Sequence, residues 1–232
     1  MSNQDQSWGI LPTQQDEDNT RAHAVSDPAG YHAGIAGREL HWFDGNTQSW
    51  ISQTDTGEWA GWHDRDASSA HADASWQPWS HPLDDSLAPY YRWFVDGQTN
   101  ACFNLIDRHV LSGRGDQIAI VFEGDRWDPS KNDGRGGPVH EQRVTYRELL
   151  VEVVLRTRVL KQADLSCGDR VALNLPNVLE QIFYILACQR LGVIYTPVFG
   201  GFSAKTLSDR IHDAGAKVVI TADGGYRNAE VV

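Results

Sequence analysis

Basic residues are almost missing from the first part of this 232-residue chain. Residues 1–89 hold three of them (Arg21, Arg38 and Arg65) against 14 acidic ones, a net charge of −11, whereas residues 90–232 hold 17 of each sign. With no long stripe of Lys and Arg to neutralise phosphates, the sequence carries no nucleic-acid footprint. Anionic membrane surfaces are disfavoured for the same reason. Long apolar runs are lacking too: the longest, Ile182 to Cys188, has seven residues, far short of the ~20 needed to cross a bilayer. The N-terminus shows no basic region followed by an apolar one, so no secretory signal is expected. Cysteine is scarce. Cys102, Cys167 and Cys188 form no Cys-x-x-Cys pair and are odd in number, which fits reduced, buried thiols in a cytoplasmic protein rather than a disulfide framework.

Several catalytic signatures are also missing. There is no GxxxxGK[ST] loop, no GxGxxG after a strand, no GxSxG elbow and no HExxH pair, and no nucleophile stands beside a matched base. Asp107-Arg108-His109 is the nearest titratable cluster, but adjacent residues on a helix or strand point apart, and it reads as structural. His63, Asp64, Asp66, His71 and His81 follow no zinc-ligand spacing and read as a solvated polar loop, so no metal site is expected. Arg114-Gly115-Asp116 reads as the turn into the strand that follows it.

What the sequence does contain falls into three stretches. Residues 1–27 are rich in Gln, Asp and Ser and read as a disordered acidic tail. Residues 28–89 form a tryptophan-rich arm, since seven of the nine tryptophans precede residue 80. There Tyr31 to Leu40 reads as a short helix, His41 to Trp62 as one or two hairpins, and 64–88 as an irregular linker or wrapping arm. The tryptophans suit anchoring of an acidic, poorly patterned segment to a larger body, in preference to a carbohydrate platform.

From residue 117 the pattern is regular. Gln117 to Glu123 is a strand; Thr145 with Glu148 is a capping box opening a helix to about Lys161; and Arg170 to Leu175 is a strand stopped by Pro176. Asn177 is placed to cap a helix ending at Gly192, Val193 to Val198 is a strand, Ser203 caps a helix over Ala204 to Ala214, and Lys217 to Ala222 is the last strand. Alternating Val/Ile-rich strands and helices imply an α/β fold with a parallel β-α-β sheet covered by helices on both faces.

In an open parallel sheet, ligands bind beyond the carboxyl ends of the strands. That rule selects Leu175-Pro176-Asn177, Phe199-Gly200-Gly201-Phe202-Ser203 and Asp223-Gly224-Gly225-Tyr226-Arg227, expected on one rim. Two glycines ahead of a helix let a ligand approach backbone amides that favour negative charge. Arg227 offers a planar fork suited to phosphate.

Five ordered segments are specific enough to compare with a known family: Tyr90 to Gly97 (YYRWFVDG), Asn104 to His109 (NLIDRH), Val144 to Leu149 (VTYREL), Val198 to Ser203 (VFGGFS) and Val219 to Arg227 (VITADGGYR). Together they resemble the N-terminal part of AMP-forming acetyl-CoA and propionyl-CoA synthetases, in the adenylate-forming superfamily. The resemblance covers residues 80 to 232 well and the preceding arm loosely. The arm's extra Trp-rich length is similar to the synthetase part of propionyl-CoA synthase, where the ligase is fused to hydratase and reductase domains.

The resemblance implies activation of a short carboxylic acid (acetate, propionate or 3-hydroxypropionate) with ATP and Mg2+ to an acyl-adenylate, then acyl transfer to CoA with release of AMP. It places Arg227, Asn228, Ala229 and Glu230 in the segment that contacts the nucleotide portion of CoA. Phe199, Gly200 and Gly201 fall beside the CoA adenine. Glu230 departs from the family, many of whose members carry a basic residue there, and a carboxylate would repel a phosphate. Residues 90–232 then correspond to the first part of the AMP-binding domain, ending before the phosphate loop, so that the ATP/Mg2+ site and all catalytic residues fall outside the sequence. The expectation is a cytoplasmic fragment, inactive alone, whose partner is the rest of a synthetase chain. The alternative is a stand-alone, non-catalytic nucleotide-binding or protein-interaction module.

Overall fold

The computed structural model describes residues 13–44, 49–53, 59–61, 78–227 and 230–231. The chain divides into two compact units, Met1–Thr99 and Asn100–Val232.

In the first unit, helix α1 (Gln14–Ser26) buries no residue and is held by its ends. Thr13 caps it by accepting from the Asp16 amide, Asp16 and Glu17 lie in the first turn and His23 in the last, all favourable to the helix dipole. Within the expected disordered tail over 1–27, residues 14–26 are thus helical, supported by the cap, the end charges and the i,i+4 pair of Glu17 with Arg21 and not by an apolar face, while residues 1–12 lie outside the described residues. Asp27 then caps helix α2 (Pro28–Glu39) through the Gly30 amide at 2.9 Å, with Pro28 in its first turn. Strands β1 (Trp42–Asp44), β2 (Ser49–Gln53) and β3 (Trp59–Gly61) form an antiparallel meander, two hairpins where one or two were expected. Strands β4 (His81–Asp84) and β5 (Arg92–Val95) form another antiparallel pair, Leu83 opposite Trp93. That hairpin straddles the 89/90 compositional boundary, and the division between units falls after it.

The unit's core is aromatic. Trp42 and Trp79 are buried with Ala36, their rings 4.9 Å apart and each within 5.3 Å of Phe94. The Trp42 indole N–H donates to the Ala36 carbonyl at 2.9 Å. These two tryptophans therefore close the core of their own unit. Trp8, Trp62, Trp76 and the candidate ligands His63, Asp64, Asp66 and His71 lie outside the described residues.

The second unit opens with two π-helical turns, Phe103–Asp107 and Val110–Arg114. Strand β6 (Ile118–Glu123) follows, and its chain returns through β7 (Trp127–Asp128), a single turn α3 (Lys131–Gly134) and β8 (Gly137–Pro138) to β9 (Glu141–Thr145). β7 pairs with β8, and β6 pairs antiparallel with β9. Helix α4 (Tyr146–Gln162) starts at the complete capping box of Thr145 and Glu148 and buries Leu149, Val153, Thr157 and Leu160. Then come β10 (Arg170–Asn174), helix α5 (Leu179–Leu191), β11 (Ile194–Pro197), helix α6 (Ala204–Ala214), β12 (Val218–Thr221) and the short antiparallel pair β13 (Tyr226–Arg227) and β14 (Glu230–Val231).

β10, β11 and β12 make a parallel sheet in the order β11-β10-β12, with Val171 opposite Tyr195 on one side and Val218 on the other. The protein is an α/β structure, as the periodicity implies. Two details differ. β6 is not part of the parallel sheet, because the polar strand β9, with one buried residue in Val144, takes up its backbone bonds. And α5 is not capped by Asn177: Val178 is the N-cap, with no side-chain bond. Central β10 is buried on both faces at Val171, Ala172 and Leu173, whereas β12 alternates toward solvent and β11 is exposed at its two ends. Gly192 ends α5 in the left-handed region (φ 71°), where a Cβ would lie 2.7 Å from Cys167 Sγ. Cys102 and Cys188 are buried as expected, and Cys167 is exposed. Burial pushes the Cys188 thiol up to about 12. Among the described residues, no helix is long and apolar enough to cross a membrane.

Candidate functional site

Because β10, β11 and β12 run parallel, the loops leaving their carboxyl ends gather on one rim. Leu175-Pro176-Asn177 follows the central strand and touches both neighbours. A Cβ at Gly225 would lie 2.8 Å from Pro176 Cβ and Cγ, so the glycine is what lets the third loop rest on the first. A Cβ at Gly200 would lie 3.8 Å from the Leu175 carbonyl oxygen, which places the second loop on the other side. The rim expected from sequence exists.

The rim has two faces. On the β11 side, Phe199 is 60 % exposed and meets Phe202 edge to face at 5.7 Å. Arg210 of α6 stacks over Phe202 at 5.0 Å. Gly200 and Gly201 are exposed, and Ser203 caps α6 by accepting from the Thr206 amide at 3.3 Å. An exposed aromatic face next to open backbone is suited to a flat heterocycle.

On the β12 side lies an open cleft of about 880 Å³. Its floor is apolar, from Phe122, Val144, Leu179 and Phe183, and its walls are Pro176-Asn177 and Gly224-Gly225-Tyr226. The third wall comes from the β6–β9 connection, through Arg126, Val139 and His140. Arg126 stands over the Tyr226 ring at 5.3 Å, and His140 meets Phe122 at 5.8 Å. Two of the cleft's carboxylates are engaged within α4. Glu152 pairs with Arg156, which also stacks on Phe183 at 5.4 Å. Glu148 accepts from the Thr145 backbone and hydroxyl, which hold its carboxyl below the usual carboxylate range.

Arg227 sits in β13 with its Cα opposite that of Glu230 in β14. Asn228 and Ala229 lie outside the described residues. Phe199, Gly200 and Gly201 are therefore on one side of the central loop, and the strand carrying Arg227 begins at the cleft on the other. Arg126 and His140 escaped the sequence reading, since they lie about a hundred residues upstream of Tyr226 and arrive through the β6–β9 pairing. The one available signal was a basic-aromatic step, Arg126-Trp127, inside a Gly/Asp-rich loop.

Asp107 and His109 are structural. Arg190 of α5 donates two 2.7 Å bonds to the Asp107 carboxylate. His109, 8 % exposed, accepts from Arg114 and packs 4.6 Å from the Tyr146 ring. Burial, then the charges of Arg114 and Arg108, lower its pKa to about 4. Among the described residues, no group of three or more His, Cys, Asp or Glu side chains is arranged to hold a metal ion.

Comparison with known proteins gives two adjoining family matches. Residues 68–105 match the acetyl-coenzyme A synthetase N-terminus family, and residues 108–231 match the family described as AMP-binding enzyme. Similar curated proteins include the acetyl-coenzyme A synthetase of Methylobacillus flagellatus, 46 % identical over 167 residues, which are 72 % of this chain and 24 % of that protein. The acetyl-coenzyme A synthetase of Wolinella succinogenes is 45 % identical over 155 residues, 66 % of this chain and 22 % of that one. The one from Mycolicibacterium smegmatis is 46 % identical over 158 residues, 67 % and 16 %. The chain thus spans a quarter or less of the length of these relatives.

Proposed function

The chain belongs to the AMP-binding enzyme family, and from that premise we propose that it is the N-terminal portion of an ATP-dependent, AMP-forming short-chain acyl-CoA synthetase. The observation that carries this reading is the order and continuity of the two family matches, 68–105 followed by 108–231, in the same chain. The reaction is carboxylate plus ATP to acyl-adenylate and pyrophosphate, then attack of the CoA thiolate on the acyl carbon, with AMP as leaving group. Acetate, propionate and 3-hydroxypropionate are the candidate acids. ATP and Mg2+ act at residues beyond this sequence, and the role of these 232 residues is scaffold and CoA contact.

In this reading Arg227 binds a phosphate of the CoA nucleotide by a charge-assisted fork. The exposed ring of Phe199 and the open backbone at Gly200 and Gly201 receive the adenine. Asn228, Ala229 and Glu230 complete the same segment, with the Glu230 carboxylate weakening rather than aiding phosphate capture. The three free thiols suit a cytoplasmic location. A fused hydratase and reductase, as in propionyl-CoA synthase, is the arrangement the Trp-rich arm favours.

The test is thioester formation from each acid by the polypeptide encoded by the complete reading frame, with AMP and pyrophosphate followed in parallel. Formation of acyl-CoA with one AMP per thioester is expected, together with no ligation by the 232-residue chain alone. Ligation by the isolated chain, or ADP in place of AMP, overturns the proposal.

A further inference from the structure

We propose that Arg126, from the β6–β9 connection, is a second phosphate-binding cation for the CoA nucleotide, in addition to Arg227; the inference rests on the synthetase reading above. Three observations carry it. First, the Arg126 guanidinium stands 5.3 Å over the ring of Tyr226, which belongs to the rim loop Asp223–Arg227. Second, among the described residues Arg126 makes no ion pair, in contrast to Arg156 across the same cleft, which is held by Glu152. Third, Arg126 is fixed at both ends: its carbonyl accepts from the Val139 amide at 2.7 Å, and its head lies on a ring. An arginine attracted to a ring face as a cation still presents a planar fork of N–H groups, two of which a phosphate can accept at once.

The neighbouring wall supports the same role. Gly224, Gly225 and Tyr226 line the same cleft, and the packing of Gly225 on Pro176 fixes where this loop stands. Asp125, Glu180 and Asp223 share the lining. Inorganic phosphate therefore meets a mixed field and binds weakly, and the nucleotide must be anchored also by its base and by Arg227. CoA offers two phosphate groups for two arginines, the 3′-phosphate and the pyrophosphate.

The experiment uses the complete synthetase, with CoA and dephospho-CoA binding measured by calorimetry and the KM for each measured during thioester formation. Arg126→Ala is expected to raise the Kd and KM for CoA about tenfold or more, the loss of one charge-assisted bond, with kcat at saturating CoA changed far less. Arg126→Lys recovers part of the loss, because it keeps charge without the planar fork. An Arg126→Ala effect seen with CoA and absent with dephospho-CoA assigns the residue to the 3′-phosphate, and an equal effect with both assigns it to the pyrophosphate. Arg143→Ala, at an exposed ion pair on β9, is the control and stays within about twofold of wild type. If wild type binds CoA and Arg126→Ala binds it equally well, the role of Arg126 is overturned while the synthetase reading stands. Failure of the wild-type protein to bind CoA overturns both.

Discussion

Arg190 holds Asp107 through two parallel 2.7 Å hydrogen bonds, one from each terminal guanidinium nitrogen to its own carboxylate oxygen. The pair joins the first π-helical turn to the last turn of α5, and the same guanidinium reaches Cys102 Sγ at 3.5 Å. Removing the carboxylate alone would leave a partly buried cation without its counter-charge. Asp107→Ala is therefore expected to lower unfolding free energy by about 3 kcal/mol or more, measured by urea titration of the 232-residue chain at pH 7. Arg190→Lys should lose part of this, since an ammonium cannot repeat the fork. A loss below about 0.5 kcal/mol for Asp107→Ala would mean that the pair contributes no more than a surface contact.

Acid should weaken the fold through His109 before it reaches most carboxylates. The folded-state pKa of about 4 lies below the ordinary value of 6.5, so between these two the unfolded chain binds the proton that the folded chain refuses. The contribution is complete above about pH 6.5 and is lost as pH falls toward and through 4. His109→Gln should flatten the stability profile over that window by about one proton. Asp169, lowered to about 2 by Lys217 and Ser166, acts at lower pH in the same direction.

The capping box at α4 gives a smaller, cleaner effect. Thr145 accepts from the Glu148 amide at 3.2 Å while Glu148 accepts from the Thr145 amide at 2.8 Å. Thr145→Ala is expected to cost about 1 kcal/mol, seen as a lower urea midpoint with unchanged slope. A change in slope would point instead to altered compactness.

That capping box was legible in the sequence, as were Ser203 at α6 and the left-handed stop at Gly192, because each is a local rule written in two or three residues. The alternation of strands and helices after residue 117 likewise carried the parallel sheet. β9 was not legible: Glu141, Gln142 and Arg143 are polar, and the strand runs straight into the helix cap. Nor was α1, whose stability lies in its end charges rather than in an apolar stripe. The site divides the same way. The three rim loops follow from where parallel strands end, whereas Arg126 reaches the rim only by way of a long-range antiparallel pairing that no local pattern announces.

Gly225 offers a test of the rim that does not touch a charged group. A Cβ there would approach Pro176 to 2.8 Å, closer than real Cβ atoms come, and neither the proline ring nor the backbone can yield as a flexible side chain would. Gly225→Ala must therefore push the Asp223–Arg227 loop away from the β10 loop, carrying Tyr226 and Arg227 with it. The displacement should leave the sheet intact, because the backbone ladders of β10 and β12 end at Thr221. In the complete synthetase the expected result is near-normal melting and a KM for CoA raised about tenfold, since even a 1 Å misplacement of a binding group is costly. Normal CoA kinetics in a folded Gly225→Ala protein would show that the close packing of these two loops has no part in holding the nucleotide.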